Sequence, residues 1–218
     1  MKYSKQNEIT EAFMANHQQR SKTNKRYRDH TSTPQWLYAA LNERHDFDID
    51  LAATDKSAKH TQYFTKRQNA LKKAWHQYGD AGWLNPPYSH ILPWVERALS
   101  EQQKGFTTVF LVPMDASTEW WPGNQPCIIE EITGYYTDFT YKSGKQKGQT
   151  IKKWCSGRIE FVDARTGKVM KDPLNKPCCL ITFPAHYQGD TIRTSVSKFE
   201  LMLQGEIALN KQHSKRAA

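Results

Sequence analysis

The chain has little cysteine, four residues in 218, and no Cys-x-x-Cys pair. Cys127, Cys155, Cys178 and Cys179 have no histidine at metal-ligand spacing, and adjacent Cys178-Cys179 in an apolar run reads as buried free thiol. A disulfide-stapled secreted scaffold is therefore excluded, and a reducing, cytoplasmic setting is expected. Long hydrophobic runs are missing too. No stretch approaches a membrane span, and the opening MKYSKQNEIT lacks the apolar core of a signal peptide. Hydrophobic residues make up only 38% of the chain and mean hydropathy is −0.81. Part of the chain should thus be solvated tail or loop.

Acidic residues are in deficit. Thirty-one Lys and Arg stand against 22 Asp and Glu, for a net charge of +9. The excess is clustered. Residues 1–30 carry seven basic groups and three acids, residues 142–158 carry six and no acid, and the last eight residues add three more. Such clustering suits a polyanion binder, although solvated basic faces produce the same totals. Aromatics are plentiful at 12%, which argues for a folded core.

The hydrophobic pattern divides the chain. Residues 1–30 read as a basic tail ending in RSKTNKRYRDH, with at most a helical turn or two over residues 8–15. Thr31-Ser32-Thr33-Pro34 looks like a helix start, a hydroxyl cap followed by proline, leading into a helix through Leu41. Phe47 to Asp50 alternates like a strand ending near Asp50, and residues 61–64 suit a short second strand. Leu71, Ala74 and Trp75 are spaced for one face of a helix over residues 66–78. Ala81 to Leu84 runs into two prolines that stop a strand. Ile91 to Gln103 reads as a helix, and TTVFLV at 107–112 is the strongest buried-strand signal. Trp120-Trp121 suit a short helix; residues 128–132, 158–162 and 178–183 suit strands; residues 195–209 suit a helix. Alternating strand and helix in the first half implies a parallel sheet with crossover connections. In such a sheet ligands bind outside the carboxyl ends of the strands, which puts Asp50, Asn85 and Asp115 on one edge.

Asn85-Pro86-Pro87-Tyr88 is the segment richest in chemistry. A turn with a packed tyrosine would account for it structurally. A functional reading fits the same residues. The exocyclic amine of adenine is a poor nucleophile, because its lone pair is delocalised into the ring. Two acceptors can hold that amine so that the lone pair faces a methyl donor. The Asn85 side-chain oxygen is one acceptor and the Pro86 carbonyl, held in a rigid turn, is the other. Tyr88 can stack on the base. Positioning then supplies most of the rate, and a methyl group already activated on a sulfonium calls for no metal.

Several ordered blocks resemble the phage-type, Dam-like DNA N6-adenine methyltransferases. They are Thr33-Pro34-Gln35-Trp36-Leu37, Phe47 to Ala53, Tyr63-Phe64-Thr65, Asn69-Ala70-Leu71 with Trp75, and Trp83 to Ser89 with Pro93-Trp94-Val95. Leu111 to Asp115 with Thr118 and Trp120, and Gly157 to Phe161, continue the likeness, which covers about residues 31–185. The resemblance implies an α/β, Rossmann-like sheet that binds S-adenosyl-L-methionine, with flanking helices and a strand-rich basic C-terminal half. Double-stranded DNA would be the partner, and a phage enzyme masking DNA from host restriction the setting. On this resemblance Thr33 and Pro34 help hold the methionine end of the cofactor, Asp50 and Ala52 form the first cofactor motif, and Asn69 and Leu71 lie near the cofactor adenine. Asn85, Pro86, Pro87 and Tyr88 match the catalytic motif. The chain departs from the pattern after Asp50, where Leu51-Ala52-Ala53-Thr54 stands in place of a glycine-rich turn. The acidic partner of the cofactor ribose is not evident; Asp55 is a candidate, or simply an exposed loop residue.

Lys142, Lys145, Lys147, Lys152, Lys153 and Arg158 bracket Gly144 and Gly148 in a basic loop over about residues 138–158. Tyr135, Tyr136, Phe139 and Tyr141 precede it. Phosphate contacts, or plain solvation, fit this composition. The expected organisation is a tail over 1–30, a methyltransferase domain over 31–186, and a helical segment with a basic tail over 187–218, as a monomer. Rival readings are methylation of an RNA base or a protein glutamine, and an inactive relative that only holds DNA.

Overall fold

A computed structural model describes residues 31–170 and 176–217. The basic stretch expected over 1–30 lies outside the described residues. In chain order the elements are β1 (Thr31–Ser32), α1 (Gln35–His45), β2 (Ile49–Ala53), β3 (Tyr63–Thr65), β4 (Ala81–Leu84), α2 (Leu92–Gln102) and β5 (Thr107–Pro113). Then follow β6 (Ile128–Thr133), β7 (Tyr135–Thr140), β8 (Thr150–Cys155), β9 (Val162–Asp163), β10 (Cys178–Phe183), β11 (Ile192–Ser197) and α3 (Lys198–Ala217).

Seven strands form one mixed sheet in the order β11-β6-β10-β5-β4-β2-β3. Its middle follows from the apolar runs. In β5, Phe110 and Val112 enter one core cluster with Val95 and Ala98 of α2, while Val109 and Leu111 enter a second with Leu37 and Leu41 of α1 and Leu201 of α3. A strand buried on both faces needs such a continuous apolar, β-branched sequence. β3, β2, β4 and β5 are parallel. β10 runs antiparallel to both β5 and β6, so β5 and β6 point the same way. The carboxyl ends of β2, β4, β5 and β6 therefore share one edge of the sheet. The C-terminal segment is part of this body: β11 pairs with β6, and Leu201 of α3 is buried in the cluster that α1 lines.

Four expectations require correction. Residues 66–78 form two short 3-10 turns, Ala70–Lys72 and Trp75–Gln77, rather than a helix. Asn69 adopts φ 50° and Lys73 is extended, which interrupts any helical path. The segment is instead pinned by the buried Glu101, whose Oε2 accepts from the His76 N–H at 3.0 Å and lies 2.6 Å from His76 Nδ1. Trp120 and Trp121 sit in turns, packed as half-buried rings against the α2-side core. Residues 158–161 are not strand, and only Val162 and Asp163 pair, with β1. The basic loop is largely a hairpin, β7 pairing antiparallel with β8 from Tyr135↔Cys155 to Thr140↔Thr150.

Candidate active site

Asn85 follows β4 directly, at the shared edge. Its Nδ2 donates to the Thr31 carbonyl at 3.2 Å. That bond fixes the amide plane and tells oxygen from nitrogen. The side-chain oxygen is buried and has no partner. An unmet buried acceptor costs about 1–3 kcal/mol, so it persists where the surroundings enforce it and a ligand can satisfy it. Pro86 is buried behind it and Pro87 half-buried. Tyr88 donates its O–H to the Leu111 carbonyl at 3.2 Å. Its ring meets Phe161 edge-on, with centroids 6.2 Å apart. The phenol is thus anchored in the core, and burial raises its pKa well above the ordinary value.

The lead-in to α1 carries the Thr31 carbonyl that receives the Asn85 amide. The Thr33 hydroxyl was expected to cap the helix. Instead Pro34 takes the cap position without a side-chain bond, and its carbonyl accepts from the Leu37 and Tyr38 N–H groups at 3.1 and 3.2 Å. Thr33, 2% exposed, keeps a second buried oxygen without a partner. Thr33 and the chain segment that binds the Asn85 amide are therefore neighbours in sequence, on one side of the sheet.

Asp50 is the second residue of β2 rather than its end, and it is 3% exposed. Its carboxylate accepts from the Ala52 N–H at 3.2 Å and the Lys59 N–H at 3.0 Å. Burial pushes its pKa up to about 6, against those two hydrogen bonds and the nearby Lys59 and His60 charges. The carboxylate thus spends its oxygens folding back the loop after β2. Burial also lowers the pKa of Lys59. Ala52 is half-buried. Asn69 is exposed on the turn after β3, and Leu71 packs half-buried against the core.

Between the ends of β2 and β3 lies a cleft of about 710 Å³, lined by Ala53, Thr54, Asp55, Tyr63, Lys66 and Arg67 among others. The Tyr63 O–H donates to Asp55 at 3.0 Å. That volume suits a small-molecule ligand. The sequence offered Asp55 as a candidate and Tyr63 only within a resembling block; their contact follows from the pairing of β2 with β3. Asp115, expected on the same edge, is engaged by Lys176 and by the Ser117 hydroxyl. Among the described residues, no three His, Cys, Asp or Glu side chains converge as a metal site would need, and no helix is long and apolar enough to cross a membrane.

The basic candidates fall into two sets. Lys142, Lys145 and Lys147 lie exposed in the hairpin tip. Lys152 pairs with Asp138 at 2.8 Å, and the Lys153 ammonium sits 4.6 Å from the Phe139 ring centre. Arg158 follows the hairpin. Its carbonyl accepts from buried Lys198, which also bonds both Glu160 oxygens at 2.6 Å.

A family model described as DNA N-6-adenine-methyltransferase (Dam) matches residues 20–208. The chain is 30% identical over 190 residues to the DNA N-6-adenine-methyltransferase of Haemophilus phage HP1 (strain HP1c1), a match covering 85% of this chain and 96% of that protein. It is 28% identical over 169 residues to the DNA N-6-adenine-methyltransferase of Escherichia phage T1, covering 77% of this chain and 67% of that protein. No solved structure matches the chain.

Proposed function

Since the chain belongs to the Dam family of DNA N-6-adenine-methyltransferases, we propose that Asn85 and the Pro86 carbonyl hold the N6 amine of an adenine in double-stranded DNA for methyl transfer from S-adenosylmethionine. The observation that carries this is the Asn85 amide, tethered through its nitrogen and left with a buried, unpartnered oxygen. One amine hydrogen on that oxygen and one on the Pro86 carbonyl turn the nitrogen lone pair out of conjugation. The Asn85 amide is tethered before substrate arrives, so on this reading little reorganisation opposes the reaction. The adenine must leave the helix to reach them, and Tyr88, held by the Leu111 carbonyl, offers a fixed ring against it.

The cofactor fits the same edge. The cleft between β2 and β3 has room for the adenosine half, and Asn69 and Leu71 follow it in the chain. The Thr33 oxygen is buried without a partner, which suits Thr33 and Pro34 at the methionine end. Asp50 and Ala52 shape the loop between, and Asp55 with Tyr63 suits the ribose. Bound there, S-adenosylmethionine supplies a methyl group already activated on a sulfonium. We read the sheet accordingly as Rossmann-like. The tip lysines Lys142, Lys145 and Lys147, with Lys152, Lys153 and Arg158, form the DNA-contacting arm.

Incubation with labelled S-adenosylmethionine and, separately, duplex DNA, RNA and cell protein tests this reading. N6-methyladenine in digested DNA is the expected product. Label in RNA or protein with none in DNA would reverse the assignment, and DNA retention without any label would make the chain a binding relative.

A further inference from the structure

The β7–β8 hairpin carries two aromatic rings that its folding does not use up. Tyr136 stands opposite Trp154 in the ladder. Their ring centres are 5.0 Å apart at 65°, and the residues are 68% and 56% exposed. Folded chains ordinarily bury most of the surface of such rings. The other aromatics of this hairpin are engaged. Tyr135 packs on Phe199 at 5.3 Å, Phe139 meets Tyr141 at 5.2 Å, and Phe139 also receives the Lys153 ammonium.

Position along the hairpin gives the exposed pair its meaning. The hairpin leaves β6 through Gly134, at the edge that bears Asn85. Its neck is tight. A Cβ on Gly134 would collide with the Trp154 indole, and one on Gly157 would collide with the β6 backbone at Ile132 and Thr133. The return segment reaches Phe161, which touches Tyr88. Tyr136 and Trp154 occupy the second rung from the neck, whereas Lys142, Lys145 and Lys147 lie at the tip, roughly 20 Å further out at strand spacing. The tip lysines thus lie far from the catalytic edge, whereas the bare rings lie near it, with Lys153 and Lys152 one and two rungs beyond them and Arg158 just past the neck. Residues 142–158 carry six basic groups and no acid, a complement for a polyanion rather than for an apolar protein surface.

We propose that Tyr136 and Trp154 form a stacking platform for DNA bases beside the position from which the target adenine is drawn. The proposal rests on reading the hairpin as the DNA arm. Extruding one base leaves its neighbours unstacked, and a ring stacked on a base restores contact without regard to sequence.

The test compares binding of a fixed-sequence 30-base-pair duplex with the same duplex carrying one central abasic site, each over a salt series. The platform fills the abasic gap, so the wild type should bind the gapped duplex about tenfold or more tightly than the intact one. Trp154→Ala and Tyr136→Ala should each lose most of that preference and keep the wild-type salt slope; Trp154→Phe should retain much of it. Tyr136→Ala guards against a collapsed neck, because Tyr136 stands mostly in water. A preference undiminished from the wild type in both alanine variants, or no preference in the wild type, overturns the platform. The lysine variant Lys142→Ala/Lys145→Ala/Lys147→Ala should do the opposite, flattening the slope and keeping the preference. An unchanged slope there overturns the hairpin as DNA arm, a separate failure.

Discussion

Two regions meet at the carboxyl edge of the sheet, and they are built in opposite ways. Around Asn85, polar atoms are buried and deliberately under-satisfied. The Asn85 and Thr33 oxygens have no partner, and the Asp50 carboxylate is sealed in. On the hairpin, polar atoms are exposed and cheaply satisfied, while it is the rings that stand bare. On the proposed reading, the first arrangement holds a reacting atom in place. The second, if it is the DNA arm proposed above, would tolerate many sequences and gain affinity from charge and stacking. Chemistry is thereby kept apart from adhesion, which makes the two separable by mutation.

The sharpest separation is at Asn85. Asn85→Ala should lower the methylation rate by about a thousandfold or more, the scale of losing a preorganised polar contact to a reacting group. Binding of S-adenosylhomocysteine, measured by calorimetry, should change little. Near-wild-type activity would break the comparison at once, because the orphan oxygen would then serve no chemistry.

Lys198 anchors the hairpin's return path to the body of the protein. Its buried ammonium ties α3 to Arg158 and Glu160 on the hairpin's return path. Lys198→Met should lower stability by about 2–3 kcal/mol in urea unfolding, somewhat below a fully buried pair because Glu160 is partly exposed. If DNA affinity falls while stability holds, the link is positional rather than structural.

The hairpin's own prediction is smaller. Neutralising Lys142, Lys145 and Lys147 should reduce the salt dependence of DNA binding by up to about three phosphate contacts. Methylation at saturating DNA should be unchanged. A fall in the saturated rate would mean that the arm also shapes the catalytic corner.

How legible these regions were differs for the same reason. β5 could be read from TTVFLV because a strand buried on both faces must be apolar throughout. Asn85 to Tyr88 stood out because two prolines must end β4 there, leaving Asn85 at the sheet edge. The hairpin was legible in composition only. YYTDFT and TIKKWC are exposed on both faces, so no alternation marks them as strands, and they read as loop. β11 was missed for the same reason, since only Val196 of its six residues is buried. The Leu71, Ala74 and Trp75 spacing suggested a helix, but the left-handed Asn69 and the grip of Glu101 on His76 are tertiary facts. The Thr33 hydroxyl had the right position for a cap and was withheld from it. No local pattern announces a hydroxyl left without a partner in the fold.

Asp50 gives the smallest effect and tests whether the catalytic corner is as sealed as its geometry implies. Burial raises its folded pKa to about 6, above the value of an unfolded aspartate near 4. Between those limits the folded state binds more protons than the unfolded one, so stability must fall as pH rises. The favourable contribution is complete below about pH 4 and gone above about pH 6, a swing of about 1–3 kcal/mol. Urea midpoints measured from pH 4 to pH 7 should follow this trend on top of the other titrations, and the Asp50→Asn variant should lose that component. Asparagine cannot accept from both the Ala52 and Lys59 N–H groups, so the variant should start from lower stability at every pH. The change in slope, not in absolute stability, is therefore the reading to take. An identical slope in both proteins would mean that water reaches Asp50, and the corner would then be open in the way the hairpin is.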